Sequence, residues 1–275
     1  MDNVQIQHVE QTVRFQHPEK LLTTVPRLDE PVIATILGLD VATYRETKHQ
    51  LEEQVRWAAQ ELLTDPAFAD SVDRLPFRPG TMVVGIGDSN TDDLLSWLEM
   101  LRCLLELRRP QDRIRVLNAA VAAQTTSMAL TRLSGIVTLR PAWIICALGS
   151  ADALRVGPQP AKTLVSPEET ARNVAEMRHM AMLQTEAHWV WMTPPTVDER
   201  ITAKYPPFQQ AQLMLQNKDI LAVGDILRSQ LEPVVDVQAM FGYPAAQEFV
   251  GPNGPTPSLT GQQTIAKALV ELLAS

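Results

Sequence analysis

The chain has 275 residues, of which 45% are hydrophobic and 20% charged, and its formal net charge is -8. That length suits one large α/β domain, or a domain with an extension, and the composition is that of an ordinary globular protein. The excess of acid argues against a nucleic-acid partner, which needs clustered Lys and Arg; Arg108 with Arg109, and Arg113 with Arg115, read as solvated element ends.

From the N-terminus, residues 1–29 show no clear periodicity and are expected to form an arm of irregular or strand structure. The opening MDNVQIQHVEQTVRF is polar and unlike a secretion signal. No apolar run in the chain approaches the roughly 20 residues of a membrane span. Residues 30–70 predict helices: VIATILGL, then YRETKHQLEEQVRWAAQELL, with apolar residues at three- and four-residue spacing. Asp40 is placed to cap the second helix and Pro66 to close it. The pattern changes near Pro79-Gly80, which divides an arm and helical extension (1–78) from the rest (79–275).

Beyond Gly80, short apolar runs alternate with amphipathic stretches. TMVVGIGD precedes a helix through Leu94, Trp97, Leu98, Leu101 and Leu105; RIRVLNAAV precedes a helix over Met128 to Val137. AWIICALG is followed by a helix from Pro167 to about Met182, with Ser166 as N-cap and Glu169 three residues on. HWVWMTPP, a long connection and a helix near Ile220 to Leu231 come next, then VVDVQAM and a closing helix from Thr260 to Leu273. Short, continuous, β-branched runs are what strands covered by helices on both faces look like. Their alternation with helices predicts a doubly wound, flavodoxin-like, mostly parallel sheet of about five strands. In such sheets the ligand site lies at the carboxyl ends of the strands.

The first strand ends in GIGDSNTDD. Gly85 and Gly87 permit a tight turn, and Ser89 opens a helix whose free N–H groups can stabilise an anion. The same residues also suit simple helix capping by Asp88 or Ser89. Asn90-Thr91 breaks the G-x-S-x-G elbow of α/β-hydrolases, and Asn90 stands where a dinucleotide fingerprint needs its third glycine.

GDSNT (Gly87 to Thr91) resembles the block around the nucleophile of the SGNH (GDSL-type) serine hydrolase family. NAAVAAQTT (Asn118 to Thr126), ALGSADA (Ala147 to Ala153), TPPTVDE (Thr193 to Glu199) and GPNGPTPSLTGQQTIAKAL (Gly251 to Leu269) resemble its later blocks, in order and each at a predicted strand end. The resemblance covers most of residues 80–275. It implies an SGNH-type fold and ester or acyl hydrolysis without cofactor or metal. In that family Ser attacks the ester, and a His held by an Asp three residues earlier takes the serine proton. Backbone N–H groups of the Ser and of a second-block Gly, with the amide of a third-block Asn, hold the oxyanion.

Carried over by position, the nucleophile is Ser89 and the glycine position is Ala120. The asparagine position is Ala151, whose methyl donates nothing. Thr256 takes the histidine position and Asn253 the aspartate position. A threonine hydroxyl is no base at neutral pH, and an amide does not stabilise an imidazolium. Asp88, Asn90, Asp152, Pro194 and Pro195 are expected around the substrate, with the loops Val156 to Leu164 and Val197 to Gln209 as its walls.

Residues 251–275 contain no histidine, so a base would have to come from elsewhere. His188 opens a strand at the wrong end, His179 lies late in a helix and His49 lies in the helical extension. His8 or His17 reaches the site only if the arm folds over it. Asp198 and Glu199 follow a strand on the correct side but read as solvated loop acids, and Lys162 and Lys204 sit in loops. Cys103 and Cys146 lie in apolar runs and read as core residues of a reduced, cytoplasmic protein, not as a disulfide. No residue spacing suggests a metal.

Three functions fit. One is a hydrolase of small esters with a base of another kind. The second is a non-catalytic relative that binds a small ester-like ligand or a partner in the old cleft. The third is an assembly protein that forms homo-oligomers through the helices over Pro31 to Leu63.

Overall fold

The computed structural model describes residues 3–22, 28–158 and 162–275. The N-terminal part is α1 (Asn3–Phe15), α2 (Pro18–Leu21), α3 (Glu30–Ile36), α4 (Val41–Leu62) and α5 (Pro66–Asp73). Next come β1 (Met82–Gly87), α6 (Ser89–Asp92), α7 (Trp97–Arg108), β2 (Arg115–Asn118), α8 (Thr126–Thr138), β3 (Trp143–Ala147) and β4 (Arg155–Val156). The remainder is α9 (Pro167–Gln184), β5 (His188–Met192), α10 (Glu199–Thr202), α11 (Pro206–Gln210), β6 (Leu213–Met214), α12 (Asn217–Arg228), β7 (Val234–Val235), α13 (Val237–Phe241) and α14 (Leu259–Ala274).

Five strands pair in parallel in the order β2-β1-β3-β5-β7, and β4 with β6 forms a small antiparallel ladder. Side chains alternate across the sheet as the two-residue strand period demands. Val83, Ile145, Val190 and Met192 face one core with Leu98 and Leu101 of α7 and Ile265 and Leu269 of α14. Val84, Ile86, Ile144, Cys146, Trp189 and Trp191 face the other, with Leu133 of α8, Met177 of α9 and Val223 of α12. Gly85 is not a turn residue. It lies inside β1, where a Cβ would stand 2.2 Å from Leu98 Cδ2, so its hydrogen lets α7 close on the sheet.

The arm is helical, contrary to the irregular or strand structure its sequence suggests. Its apolar positions are sparse, and its helices are fixed by contacts with residues more than 70 positions away. Val13 of α1, Ile33 of α3, Leu51 and Val55 of α4 and Phe68 of α5 are buried in the same core as α7 and α14. Asp40 caps α4 as expected, accepting from Thr43 N–H. Pro66 opens α5 rather than ending α4, whose last residue is Leu62.

Two further boundaries differ. The helix expected through Leu94 is broken at Asp93, whose extended backbone ends α6, and Ser96 caps a new start at Trp97. In VVDVQAM only Val234–Val235 pairs, because Asp236 caps α13. Among the described residues no helix is long and apolar enough to cross a membrane.

Candidate active site

The carboxyl end of β1 delivers Asp88 and Ser89 to the head of α6. Asp88 caps that helix, its Oδ1 accepting from Asn90 N–H at 3.1 Å and its Oδ2 from Ser150 N–H at 3.0 Å; the Ser150 hydroxyl also bonds to this carboxylate. Burial outweighs these bonds and pushes the carboxyl up to about 6. Gly87 is needed here, since a Cβ would stand 2.3 Å from Thr91 Oγ1.

Ser89 Oγ accepts from the backbone N–H of Ala123 at 2.9 Å. Ala123 has φ +57°, a left-handed conformation that glycine adopts at no cost and alanine does not. The backbone donor beside Ser89 is therefore Ala123, not Ala120. The N–H of Ala120 is spent on Asn118 Oδ1 at 3.1 Å, and Ala120 is fully buried.

Thr256 and Asn253 stand in the loop before α14. Thr256 Oγ1 donates to Asn253 Oδ1 at 2.7 Å, and the Tyr205 hydroxyl also bonds to Asn253. The loop is tied by Gly251 N–H to Thr256 C=O at 2.8 Å. Gly254, at φ +89°, passes so close to Thr202 that a Cβ would stand 2.6 Å from its backbone nitrogen.

Ser89, Asp88, Asn90, Ala151, Asn253 and Thr256 all line one cavity of about 480 Å³. Its apolar wall includes Leu154, Phe208, Leu213 and Leu215, so the loop over residues 197–209 contributes as expected through Tyr205, Pro207 and Phe208. Residues 159–161 of the other expected wall lie outside the described residues. Asp152, Pro194 and Pro195 are not part of the lining. Asp152 is fully buried and accepts from Thr126 N–H at 2.8 Å, Thr126 Oγ1 at 2.6 Å and Thr170 Oγ1 at 2.7 Å, which makes it a tie between α8 and α9. Pro194 and Pro195 are buried.

The sequence left open whether the arm folds over the site, and it does bring His8 to the cavity. His8, Gln11, Thr12, Phe15 and Gln16 of the arm line one side of the cavity that holds Ser89. The arm is held by the two acids that follow the nucleophile turn. Arg14 binds Asp93 through Nε and Nη2, each at 2.6 Å, and Asp93 is wholly buried. His17 Nδ1 meets Asp92 Oδ1 at 2.9 Å, with Lys20 on the same oxygen. The pairing of Arg14, His17 and Lys20 with Asp92 and Asp93 is not readable from spacing.

The other bases are accounted for. His17 is committed to Asp92, and His188 stacks on Trp143 with ring centroids 4.5 Å apart at the amino end of β5. Asp198 caps α10 and Glu199 accepts from Asn217 N–H at 2.7 Å. His8 lines the cavity, but among the described residues no histidine or carboxylate is hydrogen-bonded to Ser89 Oγ. No group of three or more His, Cys, Asp or Glu among the described residues is arranged to hold a metal.

The five-stranded parallel sheet covered by helices is an α/β fold shared with solved hydrolases. Similar solved structures include an α/β hydrolase enzyme, LAE5, from the Lake Arreo metagenome (21% identity, TM-score 0.56, covering 72% of this chain and 96% of that one). A lipase/acylhydrolase from Enterococcus faecalis is 21% identical with a TM-score of 0.54, covering 70% and 95%. A catalytic mutant of Axe2, an acetylxylan esterase from Geobacillus stearothermophilus, is 18% identical with a TM-score of 0.55, covering 72% and 95%. No family model matches the chain, and no curated protein matches it either. At these identities the likeness is one of fold, and it covers nearly all of each neighbour while leaving more than a quarter of this chain unmatched.

Proposed function

We propose that this chain is a ligand-binding relative of ester hydrolases, in which Ser89 serves as a polar contact and not as an activated nucleophile. The observation that carries this reading is the Thr256–Asn253 pair. It stands where the motif order sets a base and its acid, and it is spent on its own 2.7 Å hydrogen bond. Loss of the base alone costs on the order of 10⁶ in turnover number in serine proteases. The methyl of Ala151 removes a further donor, worth roughly 3 kcal/mol in such sites. The cavity is walled by apolar side chains and bordered by the arm, which suits a binding site.

The setting we propose is cytoplasmic. Cys103 and Cys146 are unpaired and buried, and burial pushes the thiol of Cys103 up to about 11 and that of Cys146 higher still, so neither is reactive.

p-Nitrophenyl acetate turnover tests the reading. Wild type and Ser89→Ala should hydrolyse it at equal rates. A second reading, a slow esterase with His8 as base, is favoured by the place of His8 in the cavity wall. It requires turnover that both Ser89→Ala and His8→Ala abolish.

A further inference from the structure

Arg132 of α8 is a cation without an acid. Its Nη1 donates to Ala119 C=O at 3.0 Å and to Gln124 Oε1 at 3.1 Å, and among the described residues no carboxylate is paired with it. Its Nε and Nη2 have no hydrogen-bond partner among those residues, and neither is sealed from solvent. Burial lowers its pKa, and Asp92, whose charge opposes that shift, is already bound to His17 and Lys20.

Arg132 is partly exposed and lines a groove of about 610 Å³ at the edge of the sheet, between α2, β2 and α8. Leu21, Leu117, Met128 and Leu139 are exposed in this groove, beside the buried Val121 and Ile136. Exposed apolar side chains gathered about one groove mark a binding surface. Charge decides what binds there. Arg132 and Lys20 line the groove and, among the described residues, no acid does, although the chain as a whole carries a net charge of -8. Lys20 is held by Asp92, so Arg132 is the cation left to a ligand.

The Nε–Nη2 edge of a guanidinium is the edge that takes both oxygens of a planar carboxylate. The apolar side chains beside it suit a hydrocarbon chain. We propose that this groove binds the anion of a medium-chain aliphatic acid, with its carboxylate on Arg132 and its chain against Leu117, Met128 and Leu139. The groove shares no lining residue with the Ser89 cavity, so the site stands independently of the ligand-binding reading above. The Ser89 cavity has no Lys or Arg in its lining and offers the same anion no cation.

The test is isothermal titration of the full chain with octanoate, octan-1-ol and acetate. Octanoate is expected to bind about tenfold more tightly than octan-1-ol, which lacks the charge. Acetate, which lacks the chain, should bind more weakly than octanoate by at least as much. Arg132→Gln should weaken octanoate by about tenfold. Gly135 lines the groove on α8, and a Cβ there meets no atom within 4 Å, so Gly135→Phe should fold, fill the groove and abolish octanoate binding. Octan-1-ol or acetate binding as tightly as octanoate, octanoate affinity unchanged in either variant, or no octanoate binding at millimolar concentration overturns the proposal. Gly135→Phe and the wild-type comparison decide the matter even if Arg132→Gln does not fold.

Discussion

Thr256 and Asn253 are joined by a 2.7 Å hydrogen bond across a three-residue step, with Ser89 on the same cavity. The step is the one over which the family sets aspartate and histidine, and the backbone that fixes it is present, tied at Gly251 and packed at Gly254. Under the proposed reading this step keeps the spacing of a base and its acid. Asn253→Asp with Thr256→His should therefore raise Ser89-dependent hydrolysis of p-nitrophenyl acetate by about 10²-fold or more, and Ala151→Asn should raise it further. No gain from the triple variant shows that the frame has shifted as well.

Ala123 supplies the donor to Ser89 from a conformation that suits glycine. Ala123→Gly removes a left-handed strain of about 1 kcal/mol at the expense of some chain entropy. Urea unfolding should show the variant more stable than wild type, by up to about 1 kcal/mol. A less stable variant means that the turn does not hold Ala123 at positive φ.

The arm is fastened by charge to two buried acids, Asp93 and Asp92. Asp93 is wholly buried and Arg14 nearly so, so Arg14→Ala leaves an unpaired buried carboxylate, at a cost of about 3–5 kcal/mol. The exposed pair Arg45–Glu30 provides the control, since Arg45→Ala should cost less than about 1 kcal/mol. Hydrogen exchange should show α1 losing protection in Arg14→Ala alone. Unchanged protection there would mean that the arm is held by packing around Val13.

Asp88 predicts a pH dependence of definite sign. Its folded pKa, about 6, lies above the ordinary value of 3.8, so the folded state holds a proton that the unfolded state releases. The contribution is fully present below pH 3.8 and is lost as pH rises through 6. Two units correspond to about 3 kcal/mol. The unfolding free energy of wild type minus that of Asp88→Asn should fall by about that amount between pH 4 and pH 7. A difference that is flat or rises with pH contradicts the raised value.

The parts of the site that could be read from sequence are those fixed locally. The runs at β1, β3 and β5 are covered on both faces and so are continuous in apolar residues. The Ser166 cap on Glu169 N–H depends on residues three apart and formed as spaced. Ala123 was missed because the turn from Asn118 to Thr126 contains no glycine to mark its left-handed residue, and because that turn is also pinned by Ala122 N–H on Asp92, 30 residues away. Asp152 read as a cleft acid because it follows β3, but its partners Thr126 and Thr170 lie on other elements. That the arm could fold over the site was readable, but its anchors were not: Arg14, His17 and Lys20 acquire meaning only beside Asp92 and Asp93.

Intact-mass analysis of the folded protein after exposure to a fluorophosphonate probe asks most directly whether anything takes the proton from Ser89. The expected spectrum is unmodified protein, indistinguishable from Ser89→Ala treated in the same way. A single stoichiometric adduct on wild type, absent from Ser89→Ala, would show an activated serine and contradict the account.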